Sequence, residues 1–127
     1  MREVKRLRFL ETHEWIDVEG NRGTVGISAY AQSEISDVVF VELPEIGRVV
    51  KAKEACSVVE SVKAAFDIYA PVSGKIIEVN AALSERPEIV NKSPYDEGWF
   101  FKLELSDPEE LDRLMDFETY EKHKAPH

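Results

Sequence analysis

The feature that most constrains this chain is a succession of short, strand-forming apolar runs, each ended by glycine, proline or charge within the ~4–8 residues typical of a β-strand. "DVVFVEL", "RVVK", "ACSVVE", "AAFDIYA", "GKIIEVN" and "GWFFKLEL" follow one another between residues 37 and 105. None is long enough to form a helix of its own, and β-branched residues dominate several of them. Upstream, "HEWIDVEGNRGTVGIS" carries two alternating runs on either side of Glu19-Gly20-Asn21-Arg22-Gly23, the chemistry of a hairpin turn. The expectation is a mainly β protein.

Helices are brief. Ser28 can accept a free first-turn amide and so cap "AYAQSEI". In "SDPEELDRLMDF", Ser106 or Asp107 as cap and Pro108 in the first turn predict a helix that continues through "ETYEKHKAPH" and frays over 121–127. "PEIVNKSPYDEGW" reads as loop.

With 127 residues, 43% of them hydrophobic, the chain can fill one compact core, so residues 1–127 are expected to form a single domain. The net charge of -9 offers no broad basic surface, which argues against nucleic acid and anionic lipid as partners and in favour of other proteins. No apolar run approaches the ~18 residues of a membrane span, and "MREVKRLRFLETHEW" lacks a signal-peptide core, so the chain reads as cytoplasmic. Cys56 is the only cysteine and sits beside Val58 and Val59; it forms neither an internal disulfide nor a thiolate cluster and reads as a small buried hydrophobe.

"VELPEIGRVV" (41–50) and "IYAPVSGKII" (68–77) echo one another: apolar strand, Pro-x-x-Gly turn, then a second strand led by a basic residue. Such self-similarity points to two quasi-equivalent halves closing one sandwich. Between the copies lies Lys63, on the connection from "ACSVVE" to "AAFDIYA". If both flanks are paired strands, residues 61–64 form the tip of their hairpin and Lys63 projects from it into water. An exposed lysine without a task, or a charge guarding two strand edges against aggregation, would look the same. Against both stand its small neighbours, Ala64 and Ala65, and the absence of the usual Asn-Gly tip.

"ESVKAA" around Lys63 resembles the lipoyl-attachment motif of the glycine cleavage H-protein family. "THEW" (12–15), "TVGISAYAQ" (24–32), "DVVFVELPEIG" (37–47), "APVSGKIIEVN" (70–80) and "NKSPYDEGWFFK" (91–102) join it in order along almost the whole chain. The resemblance implies a barrel-sandwich hybrid of antiparallel sheets with short helices, including a C-terminal one. It also implies one lipoate per chain, joined to the Lys63 amine by an amide. The implied function is that of a lipoyl carrier, not an enzyme, working as a monomer. Its arm takes the aminomethyl group of glycine from a pyridoxal-phosphate decarboxylase (P protein) and presents it to a tetrahydrofolate-dependent aminomethyltransferase (T protein). A dihydrolipoyl dehydrogenase (L protein) then reoxidises it. A lipoate ligase or a lipoyl/octanoyl transferase would attach the group. The resemblance further implies a cleft for the loaded arm, with Glu14, Thr12 and Asp67 as its polar groups; each also reads as a solvated acid or a turn hydroxyl. Phe66 stands where the family has a small residue, and either narrows that cleft or covers the hairpin base. His13 reads as a packing or hydrogen-bonding residue, and Trp15 and Trp99 as core aromatics.

Three other readings of an exposed lysine differ in what they require. A biotin carrier usually has its lysine between two methionines, whereas here Val62 and Ala64 flank it. A Schiff-base lysine needs a desolvating pocket, which an exposed tip does not offer. An H-like carrier serving lipoyl relay or another pathway requires the same armed lysine and is separated by partner genes, not by residues.

Overall fold

The structure, a computed structural model, describes residues 2–124. Its two sheets are antiparallel throughout. The larger is built from β1 (Arg8–Phe9), β2 (Glu14–Glu19), β3 (Arg22–Ile27), β5 (Val49–Val50), β8 (Gly74–Val79) and β9 (Phe101–Leu105), in the order β1-β2-β3-β9-β8-β5. The smaller has β6 (Ala55–Ser61) at its centre, with β4 (Val38–Glu42) and β7 (Ala65–Tyr69) on its two sides.

Local chemistry accounts for much of this. Glu19 pairs with Arg22, leaving Gly20 and Asn21 as a two-residue loop with Gly20 at φ 61. The two echoed segments are not hairpins. Each carries the chain from the small sheet to the large one, β4 into β5 and β7 into β8, and the arriving strands β5 and β8 then pair with each other. The repeat therefore closes the sandwich. Its two glycines serve different ends: Gly47 adopts φ 97, whereas Gly74 leaves room for the backbone carbonyl of Glu104 on β9, which any side chain would strike.

Between the sheets, Ile16, Val25, Ile76, Phe101 and Leu103 meet Val41, Cys56, Val59 and Ile68 in one buried core. A second cluster, Leu7, Phe9, Trp15 and Tyr120, is separate from it. β2 belongs to both, since Ile16 sits in the first and Trp15 in the second. This is why its first three residues are all buried instead of alternating.

α1 (Ala29–Ile35) begins as its capping serine predicts: Ser28 Oγ accepts from the Ala31 amide at 3.1 Å, worth about 1 kcal/mol. The continuous C-terminal helix does not form. Asp107, not Ser106, caps a 3₁₀ segment, Pro108–Arg113. The chain then extends so that Leu114 enters the core and Met115 exchanges two backbone hydrogen bonds with Phe9, at 2.8 and 2.9 Å. Helical structure resumes only in α4 (Phe117–Lys124). Residues 121–124 of the expected tail are the last turn of that helix, and 125–127 lie outside the described residues. The expected loop holds a one-turn helix, α3 (Ile89–Lys92), and another, α2 (Ala82–Glu85), precedes it; each drives one apolar residue, Val90 and Leu83, fully out of water. Single turns are too short for a helical period to register in sequence.

Candidate functional site

The hairpin β6–β7 ends in a tip formed by Ser61, Val62, Lys63 and Ala64, with Glu60 paired to Ala65 just below it. The absence of an Asn-Gly turn has a local explanation. Ser61 Oγ accepts from the amides of Lys63 at 3.1 Å and Ala64 at 3.3 Å, while its own amide donates to the Ala64 carbonyl at 2.9 Å. A hydroxyl thus replaces the positive-φ residues as organiser of the turn, and Val62 N–H tethers the tip to the Asp37 carbonyl at 3.2 Å.

Lys63 is exposed, as expected, but its amine does not hang free. Nζ donates to the Glu34 carbonyl at 3.0 Å, in the last turn of α1 where backbone carbonyls lack helical partners. Among the described residues it forms no ion pair with a carboxylate.

α1 leads from the amine to a cleft of about 300 Å³. Thr12, His13, Glu14 and Ile27 line it from one side, Tyr30, Ala31, Glu34 and Ile35 from α1, and Phe66, Asp67 and Ile68 from β7. Thr12, Glu14 and Asp67, singled out from sequence, therefore share one cavity. They differ sharply in setting: Thr12 and Asp67 are exposed, while Glu14 is 1% exposed. The reading of Glu14 as a solvated strand acid is thereby overturned. Its carboxylate joins the two sheets, accepting from Thr12 Oγ1 at 2.5 Å and from the Tyr69 amide of β7 at 2.9 Å. Burial pushes its pKa up to about 7, against the opposing pull of those two donors.

His13 adopts φ 84 between Thr12 and Glu14, and burial first of all holds its pKa below the usual value. Phe66 is half-buried; it packs against the main core and lines the cleft. Trp15 is fully buried and donates to the Ile27 carbonyl at 2.9 Å, as a core aromatic should. Trp99 packs half-buried on the second cluster under the Lys102 amine. Cys56 is buried and free, its thiol pushed up to about 12 by burial. A larger hollow of about 430 Å³ also includes Asp67, together with Glu42, Glu45 and Arg48, but it holds no buried carboxyl.

Sequence reasoning missed Ser61, Tyr30 and Glu34. Tyr30 and Glu34 stand four apart on a helix whose cap was visible, a spacing that puts both on one face. No local signal marks the Tyr69 amide, whose part depends on where β2 meets β7.

Two sheets bridged by echoed crossovers, with a lysine at the apex of the central hairpin, define the class: a barrel-sandwich hybrid of the lipoyl/biotinyl-carrier type. The comparisons then select within it. The model of the family "Glycine cleavage H-protein" matches residues 7–127, and the chain belongs to that family. A glycine cleavage system H protein of Symbiobacterium thermophilum is 56% identical over 115 residues, 91% of this chain and 90% of the relative. One of Thermotoga maritima is 50% identical over 122 residues, covering 96% and 98%. The crystal structure of a glycine cleavage system H protein from Mycobacterium marinum superposes with a TM-score of 0.86 at 34% identity, covering 93% of this chain and 95% of that one. No helix among the described residues is long and apolar enough to cross a membrane.

Proposed function

We propose that this chain is the lipoyl carrier of a glycine cleavage system, with Lys63 as the attachment residue and the Glu14 cleft as the resting place of its cargo. The observation that carries the reading is the pairing of an exposed apex amine with a buried carboxyl, joined through α1. Family membership and the names of the relatives favour this use over lipoyl relay.

The Lys63 amine fits an acyl group. It is sterically open between Val62 and Ala64, and converting it to an amide separates no ion pair, because its partner is a neutral carbonyl. When bound, lipoate would supply a dithiolane that is reduced as it takes up the aminomethyl unit of glycine and that keeps the two electrons, as a dithiol, after the unit has left. The protein's own residues bind, orient and shield. Ser61 holds the apex in one shape for the attaching ligase or transferase. Ile27, Ile35 and Phe66 keep water from the cargo, whose hydrolysis would consume one water and release formaldehyde and ammonia.

Glu14 faces the cargo's cationic amine. Burial, which pushes the pKa of this carboxyl up to about 7, lets it hold a proton near neutral pH before cargo arrives. An arriving cation favours the ionised form, so docking expels a proton and leaves a charge-assisted hydrogen bond worth about 1.5–3 kcal/mol. Thr12 keeps one carboxyl oxygen in place, and Asp67 adds negative charge at the mouth. Cargo arrives from the P protein, leaves to the T protein, and the L protein restores the disulfide; the chain itself is a carrier and not a catalyst. It works as a monomeric, single-domain protein in the cytoplasm, a setting in which the free thiol of Cys56 is ordinary.

Intact mass after incubation with lipoate, ATP and a lipoate ligase tests the attachment. One lipoyl group per chain is expected, and none on Lys63→Arg. Modification persisting in Lys63→Arg would place the site elsewhere.

A further inference from the structure

Tyr120 of α4 is fully buried, far along the chain from the cleft, yet its hydroxyl lies 2.7 Å from His13 Nδ1 and 2.7 Å from Ser28 Oγ. The direction of the protons in this relay follows from what each group already does. Ser28 is wholly buried, and its oxygen already accepts from the Ala31 amide. Its hydroxyl proton therefore needs an acceptor, and among the described residues the Tyr120 oxygen is its only other hydrogen-bond partner. Were His13 to donate from Nδ1 to Tyr120, the phenol would have to donate to Ser28, leaving a buried proton unpaired. The opposite order satisfies every group: Ser28 donates to Tyr120, and Tyr120 donates to His13 Nδ1. His13 is then neutral and carries its proton on Nε2. Its surroundings agree, since burial first of all, then the neighbouring His123 and Lys124, disfavour the imidazolium against the opposing pull of Glu34.

The relay reaches both walls of the cleft. His13 stands between Thr12 and Glu14 at φ 84, a left-handed conformation that side chains other than glycine avoid by about 1–2 kcal/mol. Its backbone is tied twice, by its amide to the Leu10 carbonyl and by its carbonyl to the Ser28 amide, both at 3.0 Å. Ser28 in turn caps α1, which supplies the opposite wall and the Glu34 carbonyl that receives the Lys63 amine.

We propose that Tyr120 is a positioning residue for cargo retention: its hydroxyl locks the His13 tautomer and ties the Thr12–Glu14 wall to α1, so that the C-terminal helix sets the shape of the cleft. This rests on the reading that the cleft holds the aminomethyl cargo.

Tyr120→Phe tests it, because the ring stacked on Phe9 at 4.3 Å is retained and only the hydroxyl is lost. Two readouts are expected to move. Imidazole ¹⁵N shifts in the lipoate-free protein show His13 unprotonated at Nδ1 in the wild type and a mixture of tautomers in Tyr120→Phe. Formaldehyde release from the charged carrier speeds up about three- to tenfold, the effect of losing hydrogen bonds of ordinary strength. Val72→Ala, a core truncation outside the cleft lining, measures what loss of stability alone does to release, and no acceleration is expected there. A wild-type His13 protonated at Nδ1, or Tyr120→Phe with an unchanged tautomer and an unchanged release rate, overturns the proposal. Glu14→Gln, run beside it, separates the two ideas. If release is unchanged in Glu14→Gln, the cargo reading fails by itself, and the His13 tautomer still decides whether Tyr120 locks the wall.

Discussion

The hairpin tip and the Thr12–Glu14 corner lie at opposite ends of α1 and solve opposite problems. At the tip, Lys63 is exposed, Ser61 supplies the turn's hydrogen bonds, and Val62 is 69% exposed, so almost nothing packs. At the corner, Glu14 is 1% exposed on the cleft wall and its two donors come from Thr12 and from β7 of the other sheet. The contrast teaches that this fold keeps an amine exposed by withholding packing, and pushes a carboxyl's pKa up by imposing it. Substitutions at the tip should therefore change function with little change in stability, while substitutions at the corner should change both.

Lys63→Arg is the extreme case. Lipoylation should vanish altogether, read by intact mass, while the unfolding free energy stays within about 0.5 kcal/mol of wild type. A large loss of stability would mean that the tip is packed and that the contrast is false.

Glu14→Ala comes next. The charge-assisted contact it removes corresponds to about a ten- to hundredfold preference for docked cargo, so formaldehyde and ammonia should escape from the charged carrier faster by that factor. Equal release rates would return Glu14 to the status of a structural acid.

The same residue makes a prediction about pH. A carboxyl whose pKa is raised from 4.5 in the unfolded chain to about 7 in the folded one contributes stability that is complete below pH 4.5 and is lost as pH rises through 7. Compared with Glu14→Gln, which has no proton to lose, the wild type should therefore weaken by about 2–3 kcal/mol between pH 5 and pH 8. Parallel denaturation curves at the two pH values measure this difference directly, and a constant gap between the variants would show that the carboxyl titrates normally.

The smallest effect belongs to the tip's own scaffold. Ser61→Ala removes the acceptor of two amides and should cost about 1 kcal/mol, with lipoylation slowed about fivefold as the apex loosens. Inserting a residue between Ser61 and Val62 moves the amine off the apex and should slow lipoylation further; modification at the wild-type rate would mean that the attaching enzyme reads sequence and not shape.

How much of this was legible beforehand follows from the range of each interaction. The β2–β3 turn, the Ser28 cap and the Lys63 apex rest on residues a few positions apart, and the chain's composition marks all three. The echo at Pro44 and Pro71 announced a closed sandwich, although its turns proved to be crossovers between sheets. The interrupted C-terminal helix was not legible, because Leu114 and Met115 leave helical geometry to reach the core and Phe9, which lies at the other end of the chain. Glu14 could be named from sequence as a candidate, but its burial was invisible: the adjacent Trp15 belongs to a cluster with Tyr120, and one of the Glu14 donors is the amide of Tyr69. The role of Ser61 was open to view and overlooked, since a serine two residues before the apex lysine is itself turn chemistry.

The central claim is that a buried carboxyl on the cleft wall receives the cationic cargo tethered at Lys63. Carbon-13 NMR titration of the Glu14 carboxyl, with and without the aminomethyl cargo, tests it most directly. The account predicts a midpoint near 7 in the cargo-free carrier, shifted downward once the cation is docked beside it. A midpoint at the ordinary carboxylate value in the cargo-free protein, or one that stays near 7 when the cargo is present, would contradict it.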